Sequence, residues 1–228
     1  MNEKHVLRNE KEITIKECTV EHIEALQALQ IEVIQSLTID SFLQPLSKEE
    51  FSHIVTGNGL MIGAFHEEDL VAFRALLIPD ENEEDHLGED AGLEKEEWRS
   101  VIYSEVSNVK PSFRGNGLQK LLGKIIFNKI DQEKHRYICA TVAPFNIASL
   151  LDKFAHDLQI VALKEKYDDM LRYVFMKDLQ QEERHATDRI LIDMADTKKQ
   201  QALLAEGWIG TSMQKVDEEW TIAYEKYE

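Results

Sequence analysis

Between residues 13 and 78 the spacing of apolar side chains changes repeatedly, and each change marks an element. Ile13 and Ile15 alternate with Thr14 and Lys16, the two-residue period of a half-buried strand. Thr19 stands where an N-cap belongs, and Ile23, Leu26, Val33, Ile34 and Leu37 follow on one helical face. Ser47-Lys48-Glu49-Glu50 has capping-box spacing and starts a shorter helix that Gly57 ends. Apolar runs over 60–65 and 70–78 flank Glu67-Glu68-Asp69, the pattern of a hairpin. The residues before Ile13 read as a charged tail.

Residues 80–97 break the rhythm. They are dense in Asp and Glu, contain Gly88 and Gly92, and carry little apolar periodicity. They read as a solvated loop, and a loop of that length in a compact domain is often a functional lid. A strand over 101–109 and a helix over 116–130 come next, the helix with Leu118, Leu121, Leu122, Ile125 and Ile126 on its buried side. Residues 137–142 form a strand. Pro144-Phe145-Asn146 leads into a helix carrying Leu150, Leu151 and Phe154. Residues 159–166 and 170–179 make a second hairpin turning at Asp168-Asp169. The tail adds a strand at 190–194, a helix capped by Asp196 and closed by Gly207, and a last strand around 220–224. Hairpins at both ends with strand–helix crossovers between them predict an α+β fold. Its mixed sheet is mostly antiparallel, with a parallel pair at the centre and flanking helices. No internal repeat and no low-complexity segment is evident.

At 228 residues the chain is long enough for one well-cored domain. We expect residues 1–179 to form it, with 180–228 a strand–helix–strand extension packed on the same domain. A formal net charge of −17 repels nucleic acid and anionic membranes at long range. It suits a cationic substrate, and equally a merely soluble protein. Two cysteines, Cys18 and Cys139, give no disulfide framework and no zinc spacing, and both fall in strands as packing residues. The histidines are scattered without ligand spacing, so no metal is expected. Met1-Asn2-Glu3-Lys4-His5 has no apolar signal core, and no apolar run approaches bilayer length. These features predict a cytoplasmic protein.

The stretch Val109-Lys110-Pro111-Ser112-Phe113-Arg114-Gly115-Asn116-Gly117-Leu118-Gln119-Lys120 joins the 101–109 strand to the next helix. A glycine turn there exposes backbone N–H groups where the helix dipole is positive, a receptor for phosphate or pyrophosphate. An ATPase P-loop is excluded. Gly117 and Gly123-Lys124 are one residue too far apart, and Ile125 takes the Ser/Thr place. A dinucleotide fingerprint fails as well, with Lys120 at the third glycine's place.

The pattern strand–V-x-P-x-[FY]-R-G-x-G–helix resembles the acetyl-CoA motif of the GNAT superfamily of acyl-CoA N-acyltransferases. In the family's core pattern, Gln/Arg-x-x-Gly-x-Gly/Ala, the fixed places fall on Arg114, Gly117 and Gln119. Gln119 departs from the Gly or Ala that is usual there. Asn146-Ile147-Ala148-Ser149 is similar to the family's second cofactor segment, where an Asn opens a helix beside the pantetheine arm. The likeness runs over roughly residues 13–179 in element order. It implies acetyl-CoA as co-substrate, with Arg114, Gly115, Asn116, Gly117, Leu118, Gln119 and Lys120 around the pyrophosphate. Asn146 and Ser149 would then lie along the pantetheine, and the backbone at Val109 beside its amide.

The chemistry implied is direct transfer to an amine, which attacks the thioester only in its neutral form. Glu105 is the candidate base. Four residues before Val109 on one strand, alternation puts the two on a shared face with Tyr103 and Ser107. The family's usual acid is a Tyr about seven residues after the Asn. Here that position is Lys153, the next tyrosines are Tyr167 and Tyr173, and Ala155-His156-Asp157 replaces the usual Gly-Phe. No acid is assigned. Ser36, Ser104 and Ser107 lie in no nucleophile elbow, so a serine hydrolase is not indicated. The expected acceptor is a small cationic primary amine, with the 80–97 segment as its acidic surround and a homodimer left open. Two alternatives stay in view: a catalytically weak acetyl-CoA sensor or partner module, and an acetyltransferase acting on protein N-termini or lysines.

Overall fold

The alternation at Ile13 and Ile15 leaves those side chains 2% and 0% exposed on strand β2 (Glu12–Glu17). β2 lies between two other strands. β1 (Asn2–Val6) pairs with it antiparallel from Asn2↔Lys16 to Val6↔Glu12, and β3 (Gly59–His66) pairs on its other side. The N-terminal stretch is therefore an edge strand and not a charged tail. Its side chains are almost all exposed, so it carries no apolar alternation to read; its order comes from backbone pairing. The structure, a computed structural model, describes residues 2–37, 39, 43–167 and 169–227. Asp168, assigned from sequence to the turn of the second hairpin, lies outside them.

Contacts divide the chain into two units, Met1–Pro79 with Tyr103–Ile130, and Asp80–Ile102 with Asp131–Glu228. In the first, the strand order is β1-β2-β3-β4-β5, with β4 (Asp69–Leu77) and β5 (Val101–Val109, here from Tyr103 on). All its neighbours are antiparallel. Thr19 caps a 3-10 turn, Val20–His22, that runs into α1 (Ile23–Gln35), and the Ser47 capping box opens α2 (Lys48–Val55). Leu26, Leu29 and Val33 of α1, and Phe51 and Ile54 of α2, bury against Met61, Phe65, Phe73, Ala75 and Val106 of the sheet. Phe51 and Phe73 meet edge to face at 5.7 Å, which adds about 1 kcal/mol to the area they bury. The other face takes α4 (Leu118–Phe127), through Leu118, Leu122 and Ile126. This helix begins two residues later than the sequence suggests, because Gly115 and Gly117 both leave helical backbone.

The second unit has the strand order β6-β8-β7-β10-β11-β9, every neighbouring pair antiparallel. These are β6 (Tyr137–Val142), β7 (Gln159–Lys166), β8 (Met170–Asp178), β9 (Ala186–Asp193), β10 (Ile209–Val216) and β11 (Glu219–Tyr227). Helix α5 (Ile147–Phe154) follows β6, and α6 (Thr197–Ala205) follows β9. The extension is thus strand–helix–hairpin, with one strand more than expected. β10 escapes the sequence reading because Gly210, Thr211, Ser212, Gln214 and Lys215 give it no apolar alternation.

Residues 80–97 correct another expectation. The segment is a solvated turn only over residues 80–85; from His86 on it is ordered and partly packed. It forms α3 (Leu87–Asp90) and the first half of a 3-10 stretch, Lys95–Ser100, within the second unit. His86 is 0% exposed and stacks on Trp98 at 4.6 Å, and Leu87 and Gly88 are buried. The Asp90 carboxylate, 6% exposed, pairs with Lys164 at 2.5 Å and Lys166 at 2.6 Å. An acid-rich composition here marks packed ion pairs as well as a solvated surface. The α+β class stands, with both units built on largely antiparallel strands.

Candidate functional site

The glycine turn is assembled wholly within the first unit. At the end of β5, Lys110 N–H donates to the Val71 carbonyl at 2.9 Å, and Pro111–Phe113 make one 3-10 turn. Phe113 is buried under the Lys11 ammonium, 4.5 Å from its ring centre, and beside the His66 ring. Arg114 is extended. Gly115 follows at φ +79° and Gly117 at φ +77°. A side chain in that left-handed region costs roughly 1–2 kcal/mol, which is the reason for glycine at both places. A Cβ at either would meet nothing within 4 Å, so the turn is open on that side.

Asn116, between them, is tied down. Its Nδ2 donates to the carbonyls of Phe113 (3.0 Å) and Arg114 (3.3 Å), and its Oδ1 accepts from Asn9 N–H (3.2 Å). Gly117 is the N-cap of α4 and has no side chain to cap it. The helical ladder begins with Leu121 N–H on the Gly117 carbonyl, so the N–H groups of Leu118, Gln119 and Lys120 precede it. Such a row of donors at the positive end of a helix is an anion receptor. The Arg114 guanidinium donates to Ser36 Oγ at 2.6 Å and is exposed, as is Lys120.

One residue the sequence reading overlooked holds this arrangement. Arg74 on β4 is 0% exposed. Its Nη1 donates to the Gln119 carbonyl at 3.2 Å, its Nη2 to Ser104 Oγ at 3.2 Å, and its Cζ lies 4.8 Å from the Phe127 ring centre. The first turn of α4 is thereby fastened to β4 and β5. A lone arginine inside the apolar run 70–77 was the available signal. Gln119, the motif's departure, points its carbonyl to this anchor.

Glu105 occupies a special position on β5. Ala75 of β4 pairs with Val106, and the next residue, Leu76, pairs with Ser104. Glu105 is the extra residue of a β-bulge, and it is exposed. The bulge overturns the simple alternation. Ser107 and Val109 pair with Arg74 and Ala72, and Tyr103 pairs with Leu77, at an odd offset along β4. Tyr103 and Ser107 therefore lie on opposite faces, and Glu105 and Val109 do not share a face by alternation. A bulge re-aims a side chain, a device found beside active sites.

In the second unit Asn146 caps α5: its Oδ1 accepts from Ser149 N–H at 3.4 Å. The position of the family's Tyr, Lys153, is 6% exposed, with its Nζ 3.6 Å from Asp152, whose other oxygen lies 3.6 Å from His156. The Tyr173 hydroxyl donates to Gln200 Oε1 at 2.7 Å, and burial raises its pKa well above the ordinary phenol value. Tyr167 is exposed, its hydroxyl 3.3 Å from Thr141 Oγ1. Cys18 and Cys139 are free and buried, and burial pushes the Cys18 thiol up to about 12, the behaviour of packing residues. Among the described residues no helix is long and apolar enough to cross a membrane.

Solved structures similar to this chain include acetyltransferases. Arabidopsis thaliana NAA60 in complex with acetyl-CoA matches at a TM-score of 0.58 and 15% identity, over 74% of this chain and 99% of that one. The GNAT domain of S. lividans PAT matches at 0.56 and 17%, over 78% and 97%. The fold is the GNAT fold. The Escherichia coli ribosomal-protein-S18-alanine N-acetyltransferase carries it too, at 0.55 and 11% identity over 75% and 96%. No family model and no curated protein matches the sequence. At these identities the likeness concerns the GNAT fold alone.

Proposed function

We propose that this protein is an N-acetyltransferase that moves an acetyl group from acetyl-CoA to an amine. The observation that carries the reading is the turn at Gly115 and Gly117, open at both Cβ positions and leading into the uncapped N-terminus of α4. The fit to a pyrophosphate is chemical: backbone donors from Gly115 to Lys120, with exposed Arg114 and Lys120 nearby, and no carboxylate in the motif. That a GNAT-fold neighbour was solved with acetyl-CoA supports the same ligand here. Acetyl-CoA supplies the activated thioester. Asn146 and Ser149 are assigned to its pantetheine arm, and the Val109 backbone to its amide, on the family resemblance.

Glu105 is the proposed base. The incoming ammonium must lose a proton before its nitrogen can attack, and an exposed carboxylate on a bulge can take that proton directly or through water. We assign no general acid. Lys153 is buried beside Asp152, and Tyr173 is engaged by Gln200. A thiolate is a tolerable leaving group without one.

For the acceptor we favour a small cationic primary amine, on the chain's net charge of −17. Asp90 no longer contributes to that argument, being paired with Lys164 and Lys166. A second reading, acetylation of a protein N-terminus, is favoured by the neighbour that acts on a ribosomal-protein alanine. Thiol release from acetyl-CoA, measured across polyamines and alanine-initiated peptides, decides between them. Release with neither, alongside saturable acetyl-CoA binding, would favour the sensor.

A further inference from the structure

We infer that residues 186–227 are a second copy of the strand–helix–hairpin of residues 137–178. This copy sits against β7 in the place a symmetric partner molecule would take. The inference concerns the fold of the second unit and does not depend on the acetyltransferase reading.

The two segments match in register as well as in order. Adding 50 to each number of β6 and β7, and 49 to each of β8, converts one set of pairings into the other, except at the end of β6, where Tyr137↔Asp178 is answered by Ala186↔Tyr227. Val142↔Tyr173 becomes Ile192↔Ile222, Thr141↔Val174 becomes Leu191↔Ala223, and Ala140↔Phe175 becomes Ile190↔Tyr224. Ile160↔Phe175 becomes Gly210↔Tyr224. The bulge of the hairpin corresponds as well: β7 is bulged between Ile160 and Ala162, and β10 between Gly210 and Ser212.

The junctions agree too. Asn146 caps α5 at φ −76°, ψ 71° by accepting from the N–H three residues on, and Asp196 caps α6 at φ −82°, ψ 67° in the same way. Asp157 and Gly207 both end their helices at positive φ. The hairpin turns pair Tyr167 (51°) with Asp217 (48°), and Asp169 (65°) with Glu218 (69°). Only Ala155/Ala205 and Lys177/Lys226 keep the same residue under this superposition, which is why the repeat is invisible in the sequence.

The contact between the copies has the form of an isologous interface. β7 and β10 meet antiparallel at Ile160↔Gly210, a pairing of equivalent positions, as a two-fold axis requires. Yet the pair is fitted as unlike halves. A Cβ on Gly210 would lie 2.9 Å from Ile160 Cβ and 3.2 Å from Ile222 Cγ2, so the space beside Ile160 accepts glycine and not a second isoleucine. The second copy supplies that glycine in cis. It also braces the first: Gln200 Oε1 accepts from both Tyr173 and Tyr224, Gln201 Nε2 donates to the Leu163 carbonyl, and Phe145 N–H lies 3.3 Å from Met194 Sδ. The copy has no glycine turn before β9 and a carboxylate at the Asn146-equivalent place, so its role is that of a built-in partner for the β7 edge.

Two experiments on the full chain test this. In I160C/G210C, oxidised glutathione as electron acceptor should close a disulfide within one chain, leaving a species of 26.4 kDa on a non-reducing gel with that thiol pair lost. Cross-linked dimers would mean that the edge is closed in trans, and four free thiols in the unfolded chain, two beyond Cys18 and Cys139, that the copies do not meet there; either overturns the inference. Should that variant fold poorly, hydrogen exchange on the wild type and Gly210→Ala takes its place. Amides of 159–163 and 209–213 should be protected in the wild type, and should exchange roughly tenfold faster, together, in the variant. Unprotected wild-type amides, or loss confined to 209–213, would sink the idea.

Discussion

Two strand-to-helix junctions in this molecule solve the same problem in opposite ways. After β5 the chain enters α4 through Gly115 and Gly117, and no side chain caps the helix. After β6 it enters α5 through Asn146, whose Oδ1 takes the Ser149 N–H. The first junction leaves its leading donors for something outside the chain, and the second satisfies one internally. A side-chain cap is better than glycine there by only a few tenths of a kcal/mol, so the sign of a ligand at the first junction is its open row of donors and not lost stability. The difference also ranks the sequence motif: its glycines carry the case for phosphate, while Asn146 has a structural role sufficient to explain it.

The sharpest way to break this comparison is Gly117→Asp. A carboxylate at the mouth of the donor row should remove saturable acetyl-CoA binding in an isothermal titration up to millimolar ligand, a loss on the order of 1000-fold for a micromolar site. Because φ is +77°, the variant should also lose about 1 kcal/mol, read by urea unfolding, which leaves the fold intact. Binding that survives would put the phosphates elsewhere.

Glu105→Gln asks whether the β5 side of the comparison carries chemistry as well as binding. We expect kcat at neutral pH to fall about 100-fold with acetyl-CoA affinity unchanged, and the acidic limb of the pH–rate profile to disappear. An unaltered profile would leave the bulge a structural feature only.

Asn146→Ala probes the capped junction. Loss of the cap should cost about 1 kcal/mol of stability. If Asn146 also orients the pantetheine, KM for acetyl-CoA should rise several-fold; a stability loss with unchanged KM would make it a cap alone.

The smallest effect is expected at the foot of β6, where Arg136 holds Asp178 by two hydrogen bonds of 2.9 and 2.6 Å. The guanidinium lowers the Asp178 pKa below the ordinary carboxylate value. A depressed folded-state pKa means stability that is full above the unfolded value, about 3.9, and lost as pH falls through the folded one. Arg136 is 43% exposed, so the contribution should stay under about 1 kcal/mol. Asp178→Asn should flatten the loss of stability below about pH 4 without touching either junction; an unchanged acid limb would show that the pair adds nothing.

What the sequence determined by itself is local. Caps at Thr19, Ser47 and Asp196, the Glu67 turn and the glycine turn are written in residue chemistry over a few positions, and the structure has each of them where the sequence suggests. The tertiary structure decided whatever depends on pairing between distant segments. A one-residue register shift at Glu105 exchanges faces along β5, and nothing in residues 101–109 announces it, because a bulge is defined by the partner strand. The exposed β1, the acidic segment around Asp90 and the polar β10 carry no apolar period, since their order comes from backbone bonds and ion pairs to remote residues. The internal copy is the extreme case. Register, bulge and cap geometry persist because backbone hydrogen bonding is indifferent to side-chain identity, while the side chains that a sequence displays have almost wholly diverged.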